Sequence, residues 1–195
     1  MNELCIGCLV MAAGSASRFG GNKLAARIDG KMLIEHALEA VPVEEFARVT
    51  VVTQYDEVLV LAKQHGFSVL VNPFPAWGAS HTVKLGTEAM ADCDAILYQV
   101  ADQPLLRRES VRAEVEFFRQ HADRIVAMGH GGVRGNPCIF PARFFPELTA
   151  LTGDLGGSAV IRRHEDELLL FDVSPDELRD VDTPMALAAL RDTLA

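Results

Sequence analysis

Short apolar runs alternate with amphipathic stretches along most of the chain. Several runs are apolar at consecutive positions, as Val49, Val51 and Val52 show, and this suits strands covered on both faces rather than one. The pattern predicts strands at 4–11, 48–53, 68–71, 95–100, 125–128, 138–140 and 168–173. Between them the spacing turns helical. Leu33, Ile34, Ala37, Leu38 and Val41 share one face, Leu187, Leu190 and Leu194 another, and 56–66, 78–91 and 108–123 also read as helices. Strand–helix alternation of this kind predicts an α/β fold, a mainly parallel sheet with helices on both faces. The glycine-rich turn at 129–135 and the prolines at 137, 141 and 146 break the rhythm, so shorter, antiparallel strands are expected there, carrying a substrate lobe. No internal repeat or long linker divides the chain, and 1–195 reads as a single domain.

Composition narrows the function classes. With 49% hydrophobic and 23% charged residues, neither disorder nor low complexity is expected. Lys and Arg total 18 against 27 Asp and Glu, a net charge of −9, which argues against a broad nucleic-acid surface but leaves room for a small anion site. The apolar run at 4–13 is too short to cross a bilayer, and Glu3 stands where a signal peptide would carry basic residues. Four cysteines in mostly apolar surroundings suit a reducing compartment, so a cytoplasmic protein with no membrane contact is expected. Cys5 and Cys8 form a C-x-x-C with no second close pair, read as strand residues rather than a redox or zinc motif.

The chemistry concentrates in the segment from Met11 to Lys23, directly after the first strand, where ligands of parallel sheets bind. Small residues there let the main chain approach phosphates closely, and Arg18 and Lys23 add a forked and a compact cation. The G-x-G-x-x-G dinucleotide pattern fails at Ala16 and Phe19, and a Walker loop fails at Leu24. Asp102 follows the run 95–100, so it is expected at the carboxyl end of that strand, placed to hold Mg²⁺ beside substrate phosphates. Asp182 precedes Thr183-Pro184 and the last helix, where a helix-capping role competes. Trp77 beside Pro75 reads as a packing anchor, although it could stack on a flat ring.

Ala12-Ala13-Gly14, followed by Arg18, Gly20 and Lys23, resembles the signature of the MobA-like nucleotidyltransferases, most closely the molybdenum cofactor cytidylyltransferase branch. The resemblance extends through Asn72-Pro73, Gly78, Gly86, Ala101-Asp102-Gln103-Pro104-Leu105, Gly135-Asn136-Pro137, Phe140, Gly153-Asp154 and Asp180-Val181-Asp182-Thr183-Pro184. It implies a Rossmann-like fold of the nucleotide-diphospho-sugar transferase type. The reaction implied is transfer of CMP from CTP to the terminal phosphate of molybdopterin, with loss of pyrophosphate. It further implies nucleotide contacts from Ala12, Ala13, Gly14, Ser15, Arg18, Lys23 and Asp102, with Arg18, Lys23 and Asp102 catalytic. Mg²⁺ would sit on Asp102 and Asp182, with Asp180 in reserve, and Arg134, Asn136 and Asp154 would meet the acceptor. A molybdoenzyme or its insertion chaperone would take the product. In this family Ala-Ala-Gly goes with cytidylyl and Ala-Gly-Gly with guanylyl transfer, so the Ala13 methyl is expected to disfavour a purine.

Two departures stand out. Gly153-Asp154-Leu155-Gly156-Gly157-Ser158 ends on Ser158 where the family has arginine, and Thr82-Val83-Lys84 replaces Ser-Leu-Arg. The first keeps open transfer to another small phosphate, such as a sugar or polyol phosphate. Readings from other classes are an NAD(P)-binding oxidoreductase on a related fold and a non-catalytic nucleotide sensor.

Overall fold

The computed structural model describes residues 4–15 and 19–194. In chain order the elements are β1 (Ile6–Ala12), β2 (Arg27–Ile28), β3 (Lys31–Met32), α1 (Leu33–Glu39), β4 (Arg48–Thr53), α2 (Asp56–Gln64), β5 (Ser68–Val71), α3 (Ala79–Ala89), β6 (Ala95–Val100), α4 (Arg108–Arg119), β7 (Ile125–His130), β8 (Val133–Pro141), α5 (Phe145–Thr149), α6 (Gly157–Ile161), β9 (Leu168–Asp172) and α7 (Pro184–Leu194). Seven strands form one sheet in the order β5-β4-β1-β6-β8-β7-β9. Only β8 runs against its neighbours, pairing antiparallel with both β6 and β7. This is the mixed, mostly parallel α/β sheet that the alternation predicts.

β1, third in the sheet, lies in its interior because it can be buried on both faces. Ile6, Cys8, Val10 and Ala12 point into one core with Ile34 and Leu38 of α1, Val58 of α2, and Val111, Val115 and Phe118 of α4. Leu9 points to the other core, with Val83 of α3, Leu148 of α5 and Val160 of α6. At Gly86 the helix α3 comes so close that a Cβ would lie 2.4 Å from the Leu9 side chain. A third, smaller cluster of Ile28, Leu33, Val181, Leu187 and Leu190 binds α7 to the β2–β3 hairpin and the start of α1.

Two expectations change. The β2–β3 hairpin is absent from the sequence reading, since strands of two residues carry no periodicity; its turn, Asp29-Gly30, has the positive φ angles of 49° and 78° that a tight hairpin needs. The region 129–135, expected as a glycine-rich turn, lies mostly within two strands. β7 runs through His130 and β8 begins at Val133, leaving Gly131 and Gly132 alone as the turn.

Glu114 of α4 is wholly buried in the core, and neither carboxyl oxygen makes a well-formed hydrogen bond. Burial pushes its carboxyl well above the usual range, and the nearby Met128 backbone offsets this only in part. Below its ordinary titration range the folded and unfolded chains both carry the proton. Above that range the unfolded chain releases it while the folded chain keeps it, so stability falls as pH rises. Glu114→Gln, which cannot ionise, is expected to flatten that decline. Thermal melts should show a gain of about 3 °C or more at pH 8 and a smaller one near pH 4.5; a constant difference across pH would contradict this assignment.

Candidate active site

A cleft of about 340 Å³ opens at the carboxyl ends of β1 and β6. The chain leaves β1 toward β4 on one side and returns to β6 on the other, the kind of topological switch where open α/β sheets bind ligands. Met11, Ala12, Ala13, Gly14 and Ser15 form one wall, Val100, Ala101 and Asp102 the floor, and Gly78, Ala79, Thr82 and Asp154 the opposite wall. Arg18, expected to face a phosphate, lies outside the described residues.

The first wall is braced from behind by β4 and the residue pair that follows it. Thr53 Oγ1 donates to the Ala12 carbonyl at 3.1 Å, Gln54 Nε2 to the Ala13 carbonyl at 2.8 Å and Tyr55 Oη to the Gly14 carbonyl at 2.8 Å. None of these three stands out in the sequence, because a threonine, a glutamine and a tyrosine at a strand end are ordinary.

Lys23 crosses the mouth of the cleft. Its ammonium lies 2.5 Å from Asp102 Oδ2 and 2.8 Å from Asp182 Oδ1. Asn22 positions it by accepting the Leu24 amide on its side chain and starting a short helical turn over Lys23–Ala25. The Asp182 strand of chain is fixed beside Asp102 by the Val181 amide on the Asp102 carbonyl at 2.9 Å and by Gln103 Nε2 on the Leu178 carbonyl at 3.3 Å. Burial works against the Lys23 charge, but Asp102 and Asp182 outweigh it and hold the ammonium above its usual pKa. Asp180 still meets solvent, yet partial burial and then the Asp102 charge raise its carboxyl to about 6. Asp182, and not Asp180, lines the cleft.

The opposite wall depends on a close backbone approach. Gly78 has φ 86°, and a Cβ there would sit 2.4 Å from the Gly153 carbonyl oxygen. That approach lets the Ser80 amide reach the Gly153 carbonyl at 3.2 Å and the Ala79 amide reach Asp154 Oδ1 at 3.3 Å, so Asp154 also caps α3. Thr82 is buried and accepts from Asn72 Nδ2 at 3.1 Å, whereas Lys84 turns outward toward Glu88. Lys84 therefore does not stand in for the family arginine in the cleft.

Arg134 and Asn136, expected at the acceptor pocket, are not in the cleft wall. They lie at the start of β8. Arg134 Nη1 donates at 3.1 Å to the Oγ of Ser158, the residue that stands where the resembled motif has arginine. Trp77 does not anchor packing: it is 58% exposed and stacked on the half-exposed Phe74 at 4.4 Å. Cys5 and Cys8 do not pair; Cys5 Sγ lies 3.3 Å from Cys93 Sγ, while Cys8 is buried.

The residues present fit a divalent cation. Asp102 Oδ1 is buried with no hydrogen-bond partner, beside the carboxylate of Asp182. Among the described residues no three His, Cys, Asp or Glu side chains form a complete metal cage. Two carboxylates suffice for Mg²⁺, which keeps waters and takes its remaining ligands from substrate phosphates.

Residues 8–168 match the MobA-like NTP transferase domain. The chain belongs to the MobA-like NTP transferase family. Within the family's reach, a relative from Thermococcus sibiricus named a probable molybdenum cofactor guanylyltransferase is 33% identical over 113 residues, 57% of this chain and 55% of its own length. A 2-C-methyl-D-erythritol 4-phosphate cytidylyltransferase from Dehalococcoides mccartyi is 27% identical over 130 residues, 63% of this chain and 57% of its own. The chain thus matches just over half the length of these curated relatives. Among solved structures, a nucleotidyl transferase from Methanothermobacter superposes with a TM-score of 0.81 at 22% identity, covering 98% of both chains. A Mycobacterium tuberculosis protein solved in complex with manganese gives 0.74 at 17% identity, covering 98% of this chain and all of its own. At these identities the structural likenesses show the fold alone, an α/β fold with a mixed, mostly parallel seven-stranded sheet. No helix among the described residues is long and apolar enough to cross a membrane.

Lys23 is only 13% exposed and Asp102 20%, so removing the cation strands the Asp102 carboxylate in poorly solvated ground beside the half-exposed Asp182. Lys23→Met is expected to lower the melting temperature at pH 7 by about 3–8 °C, and millimolar Mg²⁺ to recover more of it than it adds to the wild type. A variant that melts within 1 °C of wild type would contradict the bridge (about 0.3 kcal/mol or less).

Proposed function

We propose that this chain transfers a nucleoside monophosphate from a triphosphate to the phosphate of a small acceptor, releasing pyrophosphate. The observation that carries the reading is the Lys23 bridge to Asp102 and Asp182 at the mouth of a cleft walled by backbone from Ala12–Ser15. A cation and two carboxylates held together there suit a polyphosphate with its metal, whereas nicotinamide chemistry needs neither. The phosphate monoester of an acceptor is already anionic near neutral pH, so the site needs no strong general base. Its oxygen attacks the α-phosphorus in line, and the bond from that phosphorus to the β-phosphate oxygen breaks. Catalysis then consists of alignment and charge neutralisation.

Each residue's part follows from its place. The amides of the Ala12–Ser15 wall and the Lys23 ammonium would hold the triphosphate, and Arg18 would add a second cation. Asp102 and Asp182 would hold Mg²⁺, which when bound neutralises charge on the phosphates. Because its neighbours keep Lys23 charged above the usual lysine range, it stays cationic throughout neutral pH. Lys23 can be drawn from the carboxylates to the phosphates once a metal shares their charge.

The finest reading is CTP as donor and molybdopterin as acceptor, with the product passed to a molybdoenzyme or its insertion chaperone. Ala13 supports the pyrimidine: it lines the cleft and is only 3% exposed, so its methyl takes up room at that wall that a glycine would leave open. The guanylyltransferase relative pulls toward GTP, and the erythritol-phosphate relative toward a polyol phosphate. Ser158 in place of the family arginine favours keeping that second acceptor in view.

Calorimetric titration with CTP, GTP and NADH, each with and without Mg²⁺, tests the reading. Magnesium-dependent binding of CTP over GTP is expected, with no NADH binding; binding of NADH alone would overturn the function. Asp102→Asn is expected to lower turnover by about two orders of magnitude or more while the circular dichroism spectrum is unchanged. Ala13→Gly is expected to raise affinity for GTP relative to CTP, and an unchanged ratio would remove the steric argument.

A further inference from the structure

We propose that Thr53, Gln54 and Tyr55 are positioning residues that aim the backbone amides of the β1 loop at the triphosphate by holding the carbonyls behind them; this rests on the nucleotidyl-transfer reading. Three consecutive residues bond three consecutive carbonyls, of Ala12, Ala13 and Gly14, at 3.1, 2.8 and 2.8 Å. The peptide bonds here are trans, so each N–H points opposite to the carbonyl of the same peptide unit. Fixing the Ala13 and Gly14 carbonyls toward β4 therefore directs the Gly14 and Ser15 amides away from it, toward the cleft that both residues line. Among the described residues no protein group accepts either amide.

The arrangement solves a specific problem. A loop built from Ala12, Ala13, Gly14 and Ser15 has the freedom to approach phosphates but also the freedom to turn its peptides over. A flipped peptide would present a carbonyl oxygen to an anion and repel it. Side-chain donors on the far side hold each peptide in the orientation that binds, before the ligand arrives. Two of the three donors are themselves fixed. Thr53 is buried, and its hydroxyl also accepts the Tyr55 amide at 3.0 Å, while Asn72 donates its amide to the Thr53 carbonyl at 2.7 Å. Tyr55 stands at the start of α2, so its ring is carried on a helix packed against the sheet.

Tyr55→Phe deletes one hydroxyl donor and Gln54→Leu one amide donor, leaving shape nearly intact. The probes are CTP, GTP and inorganic tripolyphosphate, each with Mg²⁺; tripolyphosphate carries the charge with no base or sugar. Each variant is expected to bind the preferred nucleotide and tripolyphosphate about five- to tenfold more weakly, by the same factor, and the double variant more weakly still. Melting temperatures are expected to stay within about 2 °C of wild type. Thr53→Val should behave like the other two and Thr53→Ser should retain affinity. Unchanged tripolyphosphate affinity in both single variants would overturn the inference, as would a loss that tracks a fall in melting temperature. A wild type that binds tripolyphosphate but neither nucleotide would overturn the nucleotidyl-transfer reading and leave the brace to be judged on the tripolyphosphate arm.

Discussion

One ammonium group joins three parts of the chain that are far apart in sequence. Lys23 meets Asp102, 79 residues away, and Asp182, 159 residues away. Without a cation between them, the largely buried Asp102 carboxylate after β6 and the half-exposed Asp182 carboxylate before α7 would repel each other. The bridge adds to the Val181 amide on the Asp102 carbonyl and the Gln103 bond to Leu178 in holding the first loop, the end of β6 and the approach to α7 together. The charged centre of the cleft is thus also one of its structural joints.

Around that joint the backbone is shaped by small residues at two contacts. At Gly86 a helix sits against the Leu9 side chain of β1, and at Gly78 the start of the same helix touches the Gly153 carbonyl. A side chain at either place would move α3 and with it Ala79 and Thr82. The Asp154 carboxylate then closes the wall by capping the helix, an interaction favoured by the partial positive charge of a helix amino end. Cleft width thus follows from these two close approaches together with the polar residues that line it.

Much of this was legible in the sequence, and the rest was hidden for identifiable reasons. Strands such as β4 and β6, buried on both faces, announce themselves as apolar runs, and the helices between them by their spacing. Asp102 could be placed at a strand end from the run before it, and Lys23 in an anion loop from its glycine-rich surroundings. That Lys23 would bridge Asp102 and Asp182 was not readable, since nothing local records a contact across 159 residues. The donors Thr53, Gln54 and Tyr55 were hidden because their role lies in where β4 ends relative to β1. Trp77 was misjudged because its neighbour Pro75 suggests packing, whereas Phe74 stacks on it at the surface. The start of β8 was masked by Gly135, Asn136 and Pro137, residues that usually mark turns.

The reversal of β8 has a further meaning. Register pairs Tyr98 of β6 with Cys138 and Gly129 of β7 with Arg134, so the first residues of β8 project past the carboxyl edge of β6. In a wholly parallel sheet that edge is supplied only by loops that follow strands; here one strand arrives there by its amino end. A hairpin can be lengthened, shortened or recharged at its tip without disturbing β1 and β6, whose carboxyl ends open into the cleft. The fold therefore separates the strand ends that form the cleft from a hairpin tip that can change in length and charge without moving them.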